Sequence, residues 1–155
     1  MVRRPVAWVT AVVLLMEAVG IVLVNWFLGL VVDRQDMSLA GLDADAMSVG
    51  SWAAGALFGL YLAFCAFVAA RVAVRDRPAA GLGRIVLISA AVVHGLLGAF
   101  TVGLVGWGAF VFMMTTLALI VLTLMTYDVQ NRPVDAVPDG KDDGGPVTPP
   151  APTTT

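Results

Sequence analysis

Residues 6–32 read VAWVTAVVLLMEAVGIVLVNWFLGLVV, an apolar run interrupted by a single charged side chain, Glu17. A helix needs about 20 apolar residues to cross the hydrocarbon core of a bilayer, and this run exceeds that length. A carboxylate inside such a run is costly unless it faces protein or another polar group. Two questions follow: how many more such runs exist, and what meets Glu17.

Three further runs answer the first question: 50–70, 85–105 and 107–127. Each is apolar throughout, unlike the alternating segments of about ten residues that build transmembrane barrels. The chain is thus expected to be all-α, a transmembrane four-helix bundle of residues 1–127 in antiparallel up-down order. Composition agrees. Of 155 residues 59% are hydrophobic and 13% charged, against about 25% charged in a soluble domain. Mean hydropathy is +0.91.

Arg3 and Arg4 precede the first run, as in a secretory signal. A cleaved signal has an apolar region of about 7–15 residues and then a small-x-small site. This run is longer and has no such site, so a retained signal-anchor is expected, with Pro5 in its first turn, where a missing N–H costs nothing.

Basic residues in short loops stay in the cytoplasm. With four spans, both termini and the 71–84 loop, RVAVRDRPAAGLGR, share one side. That side holds Arg3, Arg4, Arg71, Arg75, Arg77, Arg84, Arg132 and Lys141, leaving Arg34 alone on the other. Both termini are therefore expected in the cytoplasm. Trp26, Trp52 and Trp107 fall at outer span ends, and Trp8 and Tyr127 near inner ends, the interfacial levels that amphipathic rings prefer.

The 33–47 loop, DRQDMSLAGLDADAM, is acidic and external. Its DAD lacks the glycine and distal glutamate of a calcium loop. The 102–108 stretch, VGLVGWG, is short enough to force a hairpin. From Asp128 the sequence holds six of the eight prolines. Such a segment buries too little apolar surface to offset chain entropy, so 128–155 is expected to be a disordered cytoplasmic tail.

Counting residues addresses the second question. Glu17 lies eleven residues beyond Val6, roughly 16 Å deep at about 1.5 Å per residue. His94, the one histidine, lies ten residues beyond Arg84, at roughly 15 Å by the same rise. Both reach the middle of a core about 30 Å thick. The helix face of Glu17 carries Thr10 and Gly20, and that of His94 carries Ala90, Ala91, Gly98 and Thr101. Small and hydroxyl residues mark helix interfaces in lipid, so Glu17 and His94 are expected to meet inside the bundle, as a neutral hydrogen-bonded pair or an ion pair. Thr10, Tyr61, Thr101 and Thr116 are possible neighbours. Gly55 and Gly59, in the GALFG form of GxxxG, belong with Ala91 and Gly98 to the helix-packing surfaces. Asn25 is expected to bridge helices.

No catalytic constellation can be assembled from these residues. With Cys65 the one cysteine, no cysteine cluster exists to hold a metal, and no cofactor is expected. A net charge of −2 gives no electrostatic footprint for nucleic acid. The expected partners are the lipid bilayer and another membrane protein or a second copy. Arg outnumbers Lys eight to one, a bias of high-GC bacteria, which places the chain in a bacterial plasma membrane. A small structural, accessory or partner-binding membrane component is expected. The alternative is a proton-linked transporter or channel using Glu17 and His94, and a membrane enzyme has the least support.

The stretches NWFLGLVVDRQDMSLAGLD (25–43) and VVHGLLGAFTVGLVGWGAF (92–110) give the 6–128 region its resemblance to small, uncharacterised four-span integral membrane proteins of actinobacteria. That resemblance brings no activity with it. Locally, E-A-V-G at Glu17–Gly20 resembles the first helix of the small multidrug resistance transporters. This implies a glutamate that binds a proton or a cationic substrate in alternation within a dimer. The chain departs from that family in its long acidic outer loop, its strong arginine bias and its lack of an aromatic lining in the second span.

Overall fold

The computed structural model describes residues 3–35, 41 and 43–128, and the side chain of Asp128 is left aside. Four helices make up nearly all of the described residues: α1 (Arg3–Arg34), α2 (Ala44–Arg75), α3 (Leu82–Leu104) and α4 (Trp107–Asp128). All four are long and apolar enough to cross a membrane. The expected tail lies almost wholly outside the described residues.

The helices outrun the apolar stretches at most ends. α2 begins six residues before Gly50 and ends five after Ala70, so the 33–47 segment is partly helical. Hydropathy marks only what lipid covers, whereas backbone hydrogen bonding continues into water. Helix formers such as Ala44 and Ala46 favour continuation, and Asp45 in the first turn complements the helix dipole.

α1 packs along α2 and touches α4, while α3 packs along α4 and touches α2. α1 and α3 therefore stand on a diagonal. Ascending α1 meets descending α2: Arg4 bonds Ala73, Ala18 approaches Gly59, Asn25 approaches Gly55, and Gly29 meets Trp52. Gly55 and Gly59 permit this approach because a side chain at either would enter α1 itself. Asn25 and Ser51 also join the pair, the Ser51 hydroxyl donating to the Asn25 carbonyl at 2.9 Å. α3 turns into α4 through Val105 and Gly106 alone. The Thr101 carbonyl accepts from both of their N–H groups, and Gly106 takes φ 117°, a conformation that suits glycine.

The buried core is built of small and aliphatic side chains, among them Leu14, Ala18, Cys65, Ala69, Leu87, Ala90 and Ile120. A second cluster, with Ala7, Val72, Ala73 and Tyr127, extends it to the arginine-bearing end. The outside is apolar as well. Met16 is 71% exposed and Leu60 72% exposed, each in mid-helix. Aliphatic surface on that scale is built to meet hydrocarbon rather than water.

At 32 residues α1 and α2 are each about 48 Å long, which exceeds a bilayer core of about 30 Å. Measured from the level where Glu17 meets His94, α1 runs on for seventeen residues and α3 for ten. The α1–α2 pair thus overhangs the α3–α4 turn by about 10 Å. Asp33, Arg34, Asp43 and Asp45, all exposed, lie on that overhang.

Candidate functional site

Glu17 projects from α1 into the diagonal of the bundle. Its Oε2 lies 2.8 Å from His94 Nε2 on α3, and its Oε1 accepts a hydrogen bond from the Thr116 hydroxyl on α4 at 2.7 Å. One carboxyl group therefore joins three helices. His94 is 2% exposed, and the Glu17 side chain is 8% exposed.

The other face of the imidazole limits the chemistry. His94 Nδ1 lies 2.7 Å from the Ala90 carbonyl, which can only accept, so Nδ1 carries a proton. Nε2 then has two options. It accepts from a protonated Glu17, or, in the imidazolium, it donates to the Glu17 carboxylate. The pair has no net charge in either case and holds one proton that can lie on either partner. This arrangement avoids an isolated charge at mid-membrane, which costs about 2.5–3.5 kcal/mol or more.

The other candidates lie elsewhere. Thr10 shares a 2.9 Å hydrogen bond with Thr123, two turns nearer the arginine end, where α1 and α4 touch. Thr101 donates to the Gly98 carbonyl of its own helix at 2.7 Å. Tyr61 pairs with Ser89 at 2.8 Å, tying α2 to α3 away from Glu17. A phenol reaches across to a neighbouring helix, and periodicity along α2 does not say which residue of α3 it meets, so nothing in the pattern singles out Ser89. We expect Tyr61→Phe to lower stability by about 1 kcal/mol or less, without disturbing Glu17. Reversible unfolding in mixed detergent micelles would measure this; a loss above about 2 kcal/mol would mean that Tyr61 belongs to the Glu17 network.

Of the packing residues, Gly55 faces Asn25, Gly59 faces Val22 and the Ala18 carbonyl, and Gly98 faces Met114. Ala91 is partly buried and packs against the core. Gly20 differs: a methyl group there would meet nothing within 4 Å. It lies beside a groove of about 630 Å³ whose walls are almost wholly apolar, with Val24, Phe58, Leu97 and Phe112 among them. Glu17 and His94 border the same groove. Its lining comes from all four helices, so no pattern along a single helix marks it.

Among the described residues no buried side-chain nitrogen or oxygen lacks a hydrogen-bond partner, and no group of three or more His, Cys, Asp or Glu is placed to hold a metal. Comparison with protein-family models, curated proteins and solved structures finds no match.

Proposed function

We propose that this chain is a multi-pass integral protein of a bacterial plasma membrane, with a structural, accessory or partner-binding role. Its helices cross in antiparallel up-down order with both termini in the cytoplasm. The charge distribution supports this orientation: Arg3, Arg4, Arg71, Arg75, Arg77 and Arg84 gather at one end, and Arg34 with three aspartates lies at the other. Lipid covers the apolar exterior, and a second copy or another membrane protein is the natural partner.

The observation that carries the structural role is the closure of the polar node. Both Glu17 carboxyl oxygens are engaged by side chains from other helices. A group so engaged ties the register of three helices together, and each of its oxygens already serves a neighbouring side chain.

One feature favours a second role, proton-linked transport. The groove reaches Glu17 and His94, and Gly20 stands open beside them. Under that alternative Glu17 would exchange its proton for a substrate, as the likeness of Glu17–Gly20 to small multidrug resistance transporters suggests.

Proton flux separates the two. The full chain is reconstituted in vesicles under a pH gradient, native and Glu17→Gln in parallel. The structural role predicts that both match protein-free vesicles. Flux at least tenfold above that background, abolished by Glu17→Gln, would establish transport instead.

A further inference from the structure

A second recess lies at the arginine end, where the close of α2 and the loop into α3 stand apart. It has a volume of about 450 Å³, within the range of about 300–1,000 Å³ typical of ligand sites. Its rim carries Arg71, Arg75 and Arg77, all exposed, and its floor carries Phe64, Phe67 and Val68. Spacings of three, four and seven put Phe64, Val68, Arg71 and Arg75 on one face of α2. The face is apolar below and cationic above.

Among the described residues none of these three cations is paired with a carboxylate, and three guanidinium groups outnumber the nearby Asp76. Asp76, between Arg75 and Arg77 in the chain, accepts a hydrogen bond from the Tyr127 hydroxyl at 3.2 Å. Arg71 stacks over the Phe67 ring at 5.7 Å. Arg3 and Arg4 are engaged elsewhere, Arg3 over the Tyr127 ring and Arg4 on the carbonyls that end α2. Among the described residues, Arg75 and Arg77 have no acidic partner.

We propose that this recess binds one anionic glycerophospholipid, its phosphodiester between the three guanidinium groups and an acyl chain along Phe64, Phe67 and Val68. Guanidinium forks match phosphate oxygens in pairs. From Arg75 to Phe64 the face descends about 16 Å, half of a hydrocarbon core about 30 Å thick. One leaflet's lipid therefore spans the recess from head to tail. The proposal rests on this end of the bundle lying at the membrane surface.

Native mass spectrometry of the full chain in detergent tests it, with phosphatidylglycerol, phosphatidylcholine and soluble glycerol phosphate as probes. One phosphatidylglycerol per chain should be retained, at least tenfold better than phosphatidylcholine. At about 1 kcal/mol per arginine, replacing Arg71, Arg75 and Arg77 by glutamine should weaken retention on the order of a hundredfold. The Phe64→Ala/Phe67→Ala variant should also retain less lipid, and Arg34→Gln should behave as native. The Arg75→Gln/Arg77→Gln pair, which alters exposed side chains only, serves if the triple variant unfolds. Equal retention of both lipids, unchanged retention in a folded arginine variant, or displacement by glycerol phosphate as effective as by lipid would overturn the site. Failure of the membrane placement shows differently, as a chain that stays folded and monodisperse in water without detergent.

Discussion

Glu17→Leu is expected to destabilise the folded chain by about 2–4 kcal/mol, and Glu17→Gln by less than about 1 kcal/mol. Leucine removes two bonds between helices and leaves His94 Nε2 buried without a partner. Thr116 suffers less, since its hydroxyl can turn to the Phe112 carbonyl at 3.2 Å. Glutamine restores both contacts. Its carbonyl oxygen accepts from Thr116, and its amide donates to Nε2, which is free to accept because Nδ1 donates to Ala90. Removing both partners should cost less than the sum of the single losses, because Glu17→Leu/His94→Leu leaves no buried polar group stranded. Unfolding in mixed micelles gives all four values of the cycle. Equal losses for leucine and glutamine would mean that the carboxylate charge, and not the hydrogen bonding, holds the node.

Gly59→Leu is the second large effect, at about 3 kcal/mol, the upper end of overpacking. A Cβ at Gly59 would enter the Val22 side chain and lie 3.2 Å from the Ala18 carbonyl oxygen. Val22 can rotate, but a helix carbonyl cannot, so α1 must move away from α2. In lipid, close packing and hydrogen bonds hold helices together in place of a hydrophobic driving force, so lost contact is not regained elsewhere. Gly20→Ala makes the control. Nothing stands within 4 Å of that site, and alanine raises helix propensity by up to about 1 kcal/mol. The same unfolding measurement should thus give a clear loss at Gly59 and none at Gly20. Similar losses at both would remove the basis for a tight α1–α2 seam.

The spans were legible because lipid demands long apolar helices and little else produces them. Their ends were less so: Ala44–Gly50 is helical without being apolar, and a hydropathy pattern has no means of marking it. At the site, counting residues brings Glu17 and His94 to one depth, and face periodicity turns both inward. The choice of Thr116 over Tyr61 depends on which helices stand adjacent or diagonal, which no spacing within a single helix carries, whereas Thr10 and Thr101 each stand two turns, about 10 Å, from Glu17 and His94 along their own helices. Gly20 shows the same limit. Its place three residues after Glu17 looks like packing surface, yet a methyl group there would meet no neighbour within 4 Å.

A buried acid and a buried imidazole face each other across the diagonal of the bundle, with one proton between them. Because His94 is the one histidine in the chain, nitrogen-15 NMR of the histidine-labelled protein in lipid reports on this ring alone. A protonated Nδ1 is expected, with an Nε2 resonance that shifts in both Glu17→Leu and Glu17→Gln, since neither replacement can supply the proton that lies between the pair. A neutral ring with its proton on Nε2 and a bare Nδ1, indifferent to both substitutions, would contradict this arrangement.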